Sequence, residues 1–187
     1  MTLDAGQRRQ LLALARTSIE AALRRTAYVE PQLQDLAPEL LERRASFVTL
    51  RLAGELRGCI GAIESLRPLA EDVWRNAYGA AFNDPRFPPL TRTEWTHCLV
   101  QLSVLTPLTP LLIETERELL ALLRPGVDGL VLEMGASRAT FLPAVWKQTR
   151  DAAEFVRQLK IKAGWRPDFW SRNIQVHRYE SESFGEE

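Results

Sequence analysis

The stretch SFVTLRLAGELRGCIG, residues 46–61, decides the fold because it predicts a β-hairpin. Its first half, SFVTLRL (46–52), alternates apolar and polar residues, which is typical of a half-buried strand. Gly54 and Glu55 predict a tight turn into a second strand that runs from Leu56 to Ile63. The second strand holds one of the two cysteines of the chain beside glycines, so the hairpin is also a candidate functional loop.

Helices and strands on both sides of the hairpin predict an α+β fold. A stripe of apolar residues behind a capping box at Asp4 and Gln7 predicts an N-terminal helix, and Pro68 predicts the start of another. Two more helices are predicted, one at about 115–124 behind a capping box at Thr115 and Glu118, and one at 151–164 that Asp151 and Glu154 open. Strands are predicted at 98–104, twice within 125–143 and at 174–181. Because helices and adjacent strands are mixed, we expect a largely antiparallel sheet flanked by helices.

Composition and charge exclude several classes of protein. The chain has 187 residues and equal numbers of basic and acidic residues, 24 each, which opposes a dedicated nucleic-acid binder. No apolar run reaches the ~18 residues of a membrane span. Two cysteines and the lack of a secretory signal predict a cytoplasmic protein. Without a Cys-x-x-Cys or His-x-x-x-His pair, we expect neither a metal nor a cofactor.

Seven motifs follow one another in a fixed order. They are LRGCIG (56–61), AAFNDPRFPPL (80–90), LSVLTP (102–107), LRPGVDGLVLE (123–133), FLPAVW (141–146), FVRQLKIKAG (155–164) and VHRYES (176–181). In their order and spacing the chain resembles the AMMECR-type domain family, whose prokaryotic members are called AmmeMemoRadiSam system protein A. The resemblance covers residues 8–184 as a single domain, with residues 1–7 and 185–187 as terminal extensions.

The resemblance implies a shape and partners, but no reaction. It implies a larger and a smaller lobe, with a cleft near the glycine-rich hairpin. It also implies an association with a Memo-like protein and a radical-SAM enzyme. No iron–sulfur motif is present in this sequence, so any radical chemistry would belong to the partner.

The resemblance identifies LRGCIG (56–61) as the signature motif of the family, and the first candidate site is Cys59 with its neighbours in that motif. Positions i and i+2 of a strand share a face, so Arg57 is expected beside Cys59, where a guanidinium favours the reactive thiolate. Gly58 and Gly61 would leave room for a ligand to approach the backbone. The alternative is a buried, inert thiol, since free cysteine is among the most buried residue types. For Cys98 we expect burial in the core.

Other polar residues form weaker candidates for ligand binding. Asp84 and Arg86, in NDPRF, would either bind a polar ligand or lock their loop through a salt bridge. Arg138 would either contact a ligand or pair with Glu133 across a turn. The segment KIKAGWRPDFW (160–170) gathers three cations, which suits a phosphate-bearing ligand or a solvated helix end.

Three hypotheses about function follow. The first is an enzyme or enzyme subunit that uses Arg57 and Cys59 as catalytic residues on a small molecule or peptide in the cleft. The second is a non-catalytic partner of a Memo-like protein and a radical-SAM enzyme. The third, a regulatory nucleic-acid-associated protein, is opposed by the neutral net charge. The sequence leaves the first two open and assigns no oligomeric state.

Overall fold

The chain folds into two compact units, each with a four-stranded sheet. The computed structural model describes residues 2–25, 27–34 and 36–186. One unit comprises Met1–Leu105 with Glu182–Glu187, and the other comprises Thr106–Ser181. Both sheets are antiparallel and both carry helices, which confirms the α+β class predicted from the sequence.

The elements follow the predicted order, with two more strands than expected. Within the described residues, the helices are Ala5–Arg25 (α1), Leu69–Phe82 (α2), Arg92–Trp95 (α3), Glu116–Leu122 (α4) and Ala152–Lys162 (α5). The strands are Ser46–Leu52 (β1), Glu55–Gly61 (β2), Cys98–Leu105 (β3), Thr109–Pro110 (β4), Gly129–Met134 (β5), Ser137–Phe141 (β6), Gln175–Tyr179 (β7) and Ser181–Gly185 (β8). Short 3-10 helices cover Pro38–Leu41 and Pro143–Gln148. Helix α1 begins and β8 ends inside the two stretches that were expected to be terminal extensions.

The first sheet has the strand order β2-β1-β3-β8, with β2 at one edge. The β1–β2 turn is made by Ala53 and Gly54, whose φ angles of 51° and 84° suit a two-residue hairpin, one residue earlier than predicted. Val48 and Leu50 are fully buried with Val100 of β3, as the alternation predicts. These side chains pack with α1 and α2, so this face of the sheet is the core face.

Arg57 interrupts the alternation of β2. Leu50 pairs with Gly58, but the next residue of β1, Arg51, pairs with Leu56, so Arg57 is an extra residue and forms a β-bulge. Residues opposite each other in an antiparallel pair share a face, which places Leu56 on the outer face with Arg51. Arg57 therefore lies with Gly58 on the core face, and both residues are buried.

A buried polar cluster joins β1 to α2. The Asp72 carboxylate accepts hydrogen bonds from the Ser46 N–H at 2.9 Å, from the Ser46 hydroxyl at 2.7 Å and from the Asn76 amide at 2.8 Å. Burial raises the pKa of Asp72, while these hydrogen bonds oppose the rise. The cluster satisfies polar atoms inside the core and holds α2 in register on the sheet.

The second unit packs α4 and α5 on a sheet of order β4-β7-β5-β6. Its helices start as predicted, because Thr115 and Glu118 form a capping box before α4 and Asp151 caps α5. The Trp146 ring stacks on Phe155, with ring centroids 3.9 Å apart and planes 4° apart. Buried aliphatic residues from the helices and from β5 complete this separate core.

Candidate functional site

Arg57 lies on the opposite face of the sheet from Cys59. Its Nε donates to Glu94 at 2.9 Å, and its Nη2 donates to Glu94 at 3.1 Å and to the Pro88 carbonyl at 2.9 Å. The hydrogen bonds from Arg57 are the main cause that lowers the pKa of Glu94 to about 2. The prediction that Arg57 and Cys59 are neighbours on one face is therefore wrong, because the bulge puts Arg57 and Gly58 on the same face and leaves Cys59 on the other. Arg57 holds the loop that precedes α3.

Cys59 lies on the outer face of the sheet and is partly exposed. It pairs with Thr49, which in turn pairs with Gln101, so the three residues form one row across β2, β1 and β3. The Thr49 hydroxyl donates to the Cys59 Sγ at 3.3 Å. The thiol is thus neither fully buried nor without a partner. Cys98, by contrast, lies in the core with 3% exposure, as predicted.

A second row of residues borders the first. Arg51 pairs with Leu56 on one side and with Leu99 on the other, so the three share the outer face. The Arg51 Nε donates to Gln101 at 2.9 Å, which links the two rows. Both leucines are 38% exposed. We call the two rows together, Cys59–Thr49–Gln101 and Leu56–Arg51–Leu99, the thiol face.

Asp84 and Arg86 clamp the main chain of Cys59. The Asp84 carboxylate accepts the Cys59 N–H at 2.8 Å, and the Arg86 guanidinium donates to the Cys59 carbonyl at 3.4 Å. Arg86 also donates to Asp84 through Nε at 3.0 Å and Nη2 at 2.7 Å. The loop thereby covers the free edge of β2 and satisfies its main-chain groups. The salt bridge that was predicted to lock the loop is formed.

The electrostatics of this clamp follow from its hydrogen bonds. Asp84 is buried, yet the hydrogen bond from Arg86 holds the pKa of its carboxyl well below the ordinary value. The bond to Asp84 is also the main cause that raises the pKa of Arg86. Arg86 is a cation that lies beside Cys59, since its guanidinium donates to the Cys59 carbonyl. Its side chain is 54% exposed.

The signature glycines are explained by packing. A Cβ on Gly58 would lie 2.1 Å from the Ala80 carbonyl oxygen of α2. A Cβ on Gly61 would lie 2.4 Å from the Phe47 ring. The space beside each glycine is thus occupied by protein atoms and is not open to a ligand.

The remaining predicted site residues belong to the second unit. Arg138 forms a salt bridge with Glu133 at 3.2 Å, which is the pairing predicted across the turn. The Lys160 ammonium is 1% exposed and contacts both carboxylate oxygens of Glu116 at 2.9 Å. Lys162 donates to the Thr140 carbonyl. The predicted cation cluster is therefore dispersed among partners within this unit.

Sequence reasoning missed Thr49 and Glu94, and only Glu94 carries a signal in the sequence. The two-residue turn alone would set Thr49 opposite Gly58, and the bulge at Arg57 moves it opposite Cys59. Thr91 and Glu94 form a capping box, whose T-x-x-E pattern is visible in the sequence. The pairing of Glu94 with Arg57 carries no such signal, because the two residues lie far apart in the sequence.

Metal clusters and membrane-spanning helices are both absent from residues 2–25, 27–34 and 36–186. No group of three or more His, Cys, Asp or Glu side chains there is placed to hold a metal ion. None of the helices in the same ranges is long and apolar enough to cross a membrane.

Comparisons with known proteins place the chain in one family. The family model described as AMMECR1 matches residues 12–184. A protein of Methanothermobacter thermautotrophicus is 40% identical over 182 residues, which cover 96% of this chain and 94% of the relative. A protein of Thermofilum pendens is 37% identical over 188 residues, covering 94% and 88%. The crystal structure of an uncharacterized protein from Pyrococcus horikoshii superposes with a TM-score of 0.84 at 36% identity, covering 95% of this chain and 90% of that chain. The chain therefore belongs to the AMMECR1 family.

Proposed function

We propose that the protein binds a small molecule or peptide on the thiol face and that Cys59 is the nucleophile that reacts with it. The observation that carries this proposal is the fixed, partly exposed position of Cys59. Its main chain is clamped by Asp84 and Arg86, and its thiol accepts a hydrogen bond from Thr49. A reactive group that is held in one geometry lowers the entropic cost of reaching a transition state.

The surroundings of the thiol suit a nucleophilic role. The nucleophilic form of cysteine is the thiolate, which accepts hydrogen bonds and pairs with cations. Thr49 supplies a donor at 3.3 Å, and Arg86, which contacts the Cys59 carbonyl at 3.4 Å, supplies a nearby positive charge. In this proposal Arg86 takes the place that the sequence analysis gave to Arg57. Arg57 becomes a positioning residue on the other side of the sheet.

Alkylation of the folded protein tests the proposal. With iodoacetamide at pH 7, we expect Cys59 to be modified faster than free glutathione, while the buried Cys98 in the same chain serves as the internal control. Thr49→Val should slow the reaction of Cys59, because it removes the donor and keeps the shape. Ser103→Ala is the matched control, because it removes a hydroxyl of β3 that bonds to Ser183 instead.

The outcome is decided by peptide mass spectrometry of each cysteine over time. A Cys59 that reacts no faster than glutathione, or a Thr49→Val variant that reacts like the wild type, contradicts the nucleophile proposal. Cys59→Ser must remove the fast phase of labelling entirely.

A second candidate function is a non-catalytic role as partner of a Memo-like protein and a radical-SAM enzyme. The exposed leucines of the thiol face, Leu56 and Leu99, support a protein ligand because they lie on both sides of Arg51 and present apolar surface that suits the core of an interface. In a pull-down with purified components, Leu56→Asp with Leu99→Asp should abolish capture of the partner. Failure of the wild-type protein to bind either purified partner contradicts this candidate. No observation favours the nucleic-acid role, so we do not propose it.

A further inference from the structure

A cavity of about 480 Å³ opens in the first unit, and Cys59 is not among the residues that line it. Leu23 near the end of α1 forms one wall, Tyr78 and Phe82 of α2 form another, and Pro89 closes a third. Asn83 and Arg92 supply polar groups at its edge. The volume and the mostly apolar lining are typical of small-molecule sites. We call this cavity the aromatic pocket.

The walls of the aromatic pocket are held in place by hydrogen bonds within the protein. The Leu90 N–H donates to the Ala81 carbonyl at 2.8 Å, which fixes the loop against α2. Arg57 donates to the Pro88 carbonyl at 2.9 Å, immediately before Pro89 of the wall. A preformed pocket needs little ordering when it binds, which favours affinity. The buried Arg57 thus gains a role: it positions this wall.

Arg92 sets the charge of the pocket. Its Nη2 donates to the Leu23 carbonyl at 2.8 Å, and this neutral partner leaves the positive charge in place. Glu20, which lines a smaller adjoining cavity with Arg92, pairs with Arg24 at 3.8 Å. A guanidinium carries several N–H donors in a fixed fork, so Arg92 has donors to offer an anion beside an apolar, aromatic wall. A carboxylate accepts such donors in a bidentate geometry.

We propose that the aromatic pocket binds a small carboxylate with a flat apolar body, of the arylalkanoate class. The carboxylate pairs with Arg92, and the apolar body packs on the rings of Tyr78 and Phe82. The Asn83 amide adds a donor and an acceptor at the same edge. This site is independent of the thiol face, and its occupation does not require Cys59.

Three probes of nearly equal shape test the proposal: 3-phenylpropionate, 3-phenylpropionamide and 3-phenylpropylamine. Each is titrated into the full chain and followed by NMR shifts of the protein. We expect the carboxylate to bind about tenfold more tightly than the amide, since hydrogen bonds to charged groups are the stronger ones. The amine should bind more weakly than the amide. Contacts between the probe and the rings of Tyr78 and Phe82 should appear as intermolecular NOEs, which need no variant.

Variants separate this pocket from other surfaces. Arg92→Gln should reduce the affinity for the carboxylate to that for the amide, whereas Arg117→Gln, an exposed arginine of α4, should leave both unchanged. Leu23→Trp should fill the pocket and abolish binding of all three probes, with its fold checked by thermal melting. Cys59→Ser should bind like the wild type.

Several results would overturn the proposal. They are the lack of binding by any probe, equal binding of all three, NOEs to rings other than Tyr78 and Phe82, and undiminished carboxylate binding by Arg92→Gln. Because Cys59→Ser is predicted to bind normally, failure of the pocket and failure of the thiol proposal are distinguishable.

Discussion

Replacing Gly58 by alanine tests the contact between the signature motif and α2. The ideal Cβ of an alanine at this position lies 2.1 Å from the Ala80 carbonyl oxygen and 3.1 Å from the carbonyl carbon. A close carbon–oxygen contact in proteins is ~3.3 Å. The helix must therefore move by about 1.2 Å away from β2, because the atom in the way belongs to the main chain and cannot rotate aside.

The free-energy cost follows from that displacement. Overpacking a core costs about 1–3 kcal/mol, and a rigid main-chain clash belongs at the upper end of that range. A gap of about 0.5–1 Å elsewhere along α2 would also forfeit roughly a quarter to a half of the contact energy there. We expect Gly58→Ala to lower the free energy of unfolding by about 3 kcal/mol or more, which is a fall in Tm of about 6–12 °C for a chain of this length.

Urea and thermal unfolding of the wild type and two variants provide the assay. Gly79→Ala is the matched control, because its Cβ would meet the flexible Ile60 side chain at 3.0 Å rather than a main-chain atom. The gain in helix propensity of about 1 kcal/mol offsets that contact, so its stability should stay within about 1 kcal/mol of the wild type. If Gly58→Ala melts within about 2 °C of the wild type, the close approach of α2 to β2 is refuted.

Three other predictions concern ionisable side chains. Hydrogen bonds from Arg57 lower the pKa of Glu94 from 4.5 to about 2, so the ion pair stabilises the fold fully above pH 4.5, and this stabilisation is lost as the pH falls toward 2. In urea unfolding between these pH values, the free energy of unfolding of Glu94→Gln should therefore depend less on pH than that of the wild type. Glu116→Gln should lower the free energy of unfolding by about 3–5 kcal/mol in chemical denaturation, because it leaves the buried Lys160 unpaired. Lys160→Met should lower it by only about 1 kcal/mol, because Glu116 is 29% exposed and stays hydrated. Burial raises the pKa of Tyr179 to about 12, and Tyr179→Phe should cost about 1–2 kcal/mol in thermal unfolding as its hydroxyl bonds are lost. Equal costs for the Glu116 and Lys160 variants would contradict the second of these.

Local patterns predicted the parts of the fold that depend on neighbouring residues. The alternation in SFVTLRL gave the bounds and the buried face of β1, and the capping pairs at Thr115 and Asp151 gave the starts of α4 and α5. The strand β8 was missed, since its sequence, SESFG, has no run of apolar residues. Its partner is far away in sequence, as the hydrogen bond between Ser103 and Ser183 illustrates. The division into two sheets depends on such distant pairings.

In the candidate site, too, some contacts could be predicted from the sequence and others could not. Asp84 and Arg86 are two residues apart, so their salt bridge was within reach of sequence reasoning, and it forms at 2.7 Å. Arg57 and Cys59 are also two residues apart, but the strand rule failed for them. The bulge inserts one residue between two regular halves of β2, and the residue types of neither half indicate that a bulge is there.

Because of that single inserted residue, the signature motif contributes to two separate sites, the aromatic pocket through Arg57 and the thiol face through Cys59. Without the bulge, Arg57 would stand beside the thiol, and the motif would form one charged site. With it, Arg57 donates to Glu94 and Pro88 and holds the wall of the aromatic pocket, while Cys59 lies on the opposite face of the sheet, the thiol face. Arg57→Met should therefore weaken binding of 3-phenylpropionate by loosening that wall, yet leave the alkylation rate of Cys59 unchanged. Loss of both properties together, in a variant that still melts cooperatively, would show that the two faces of β2 work as one site.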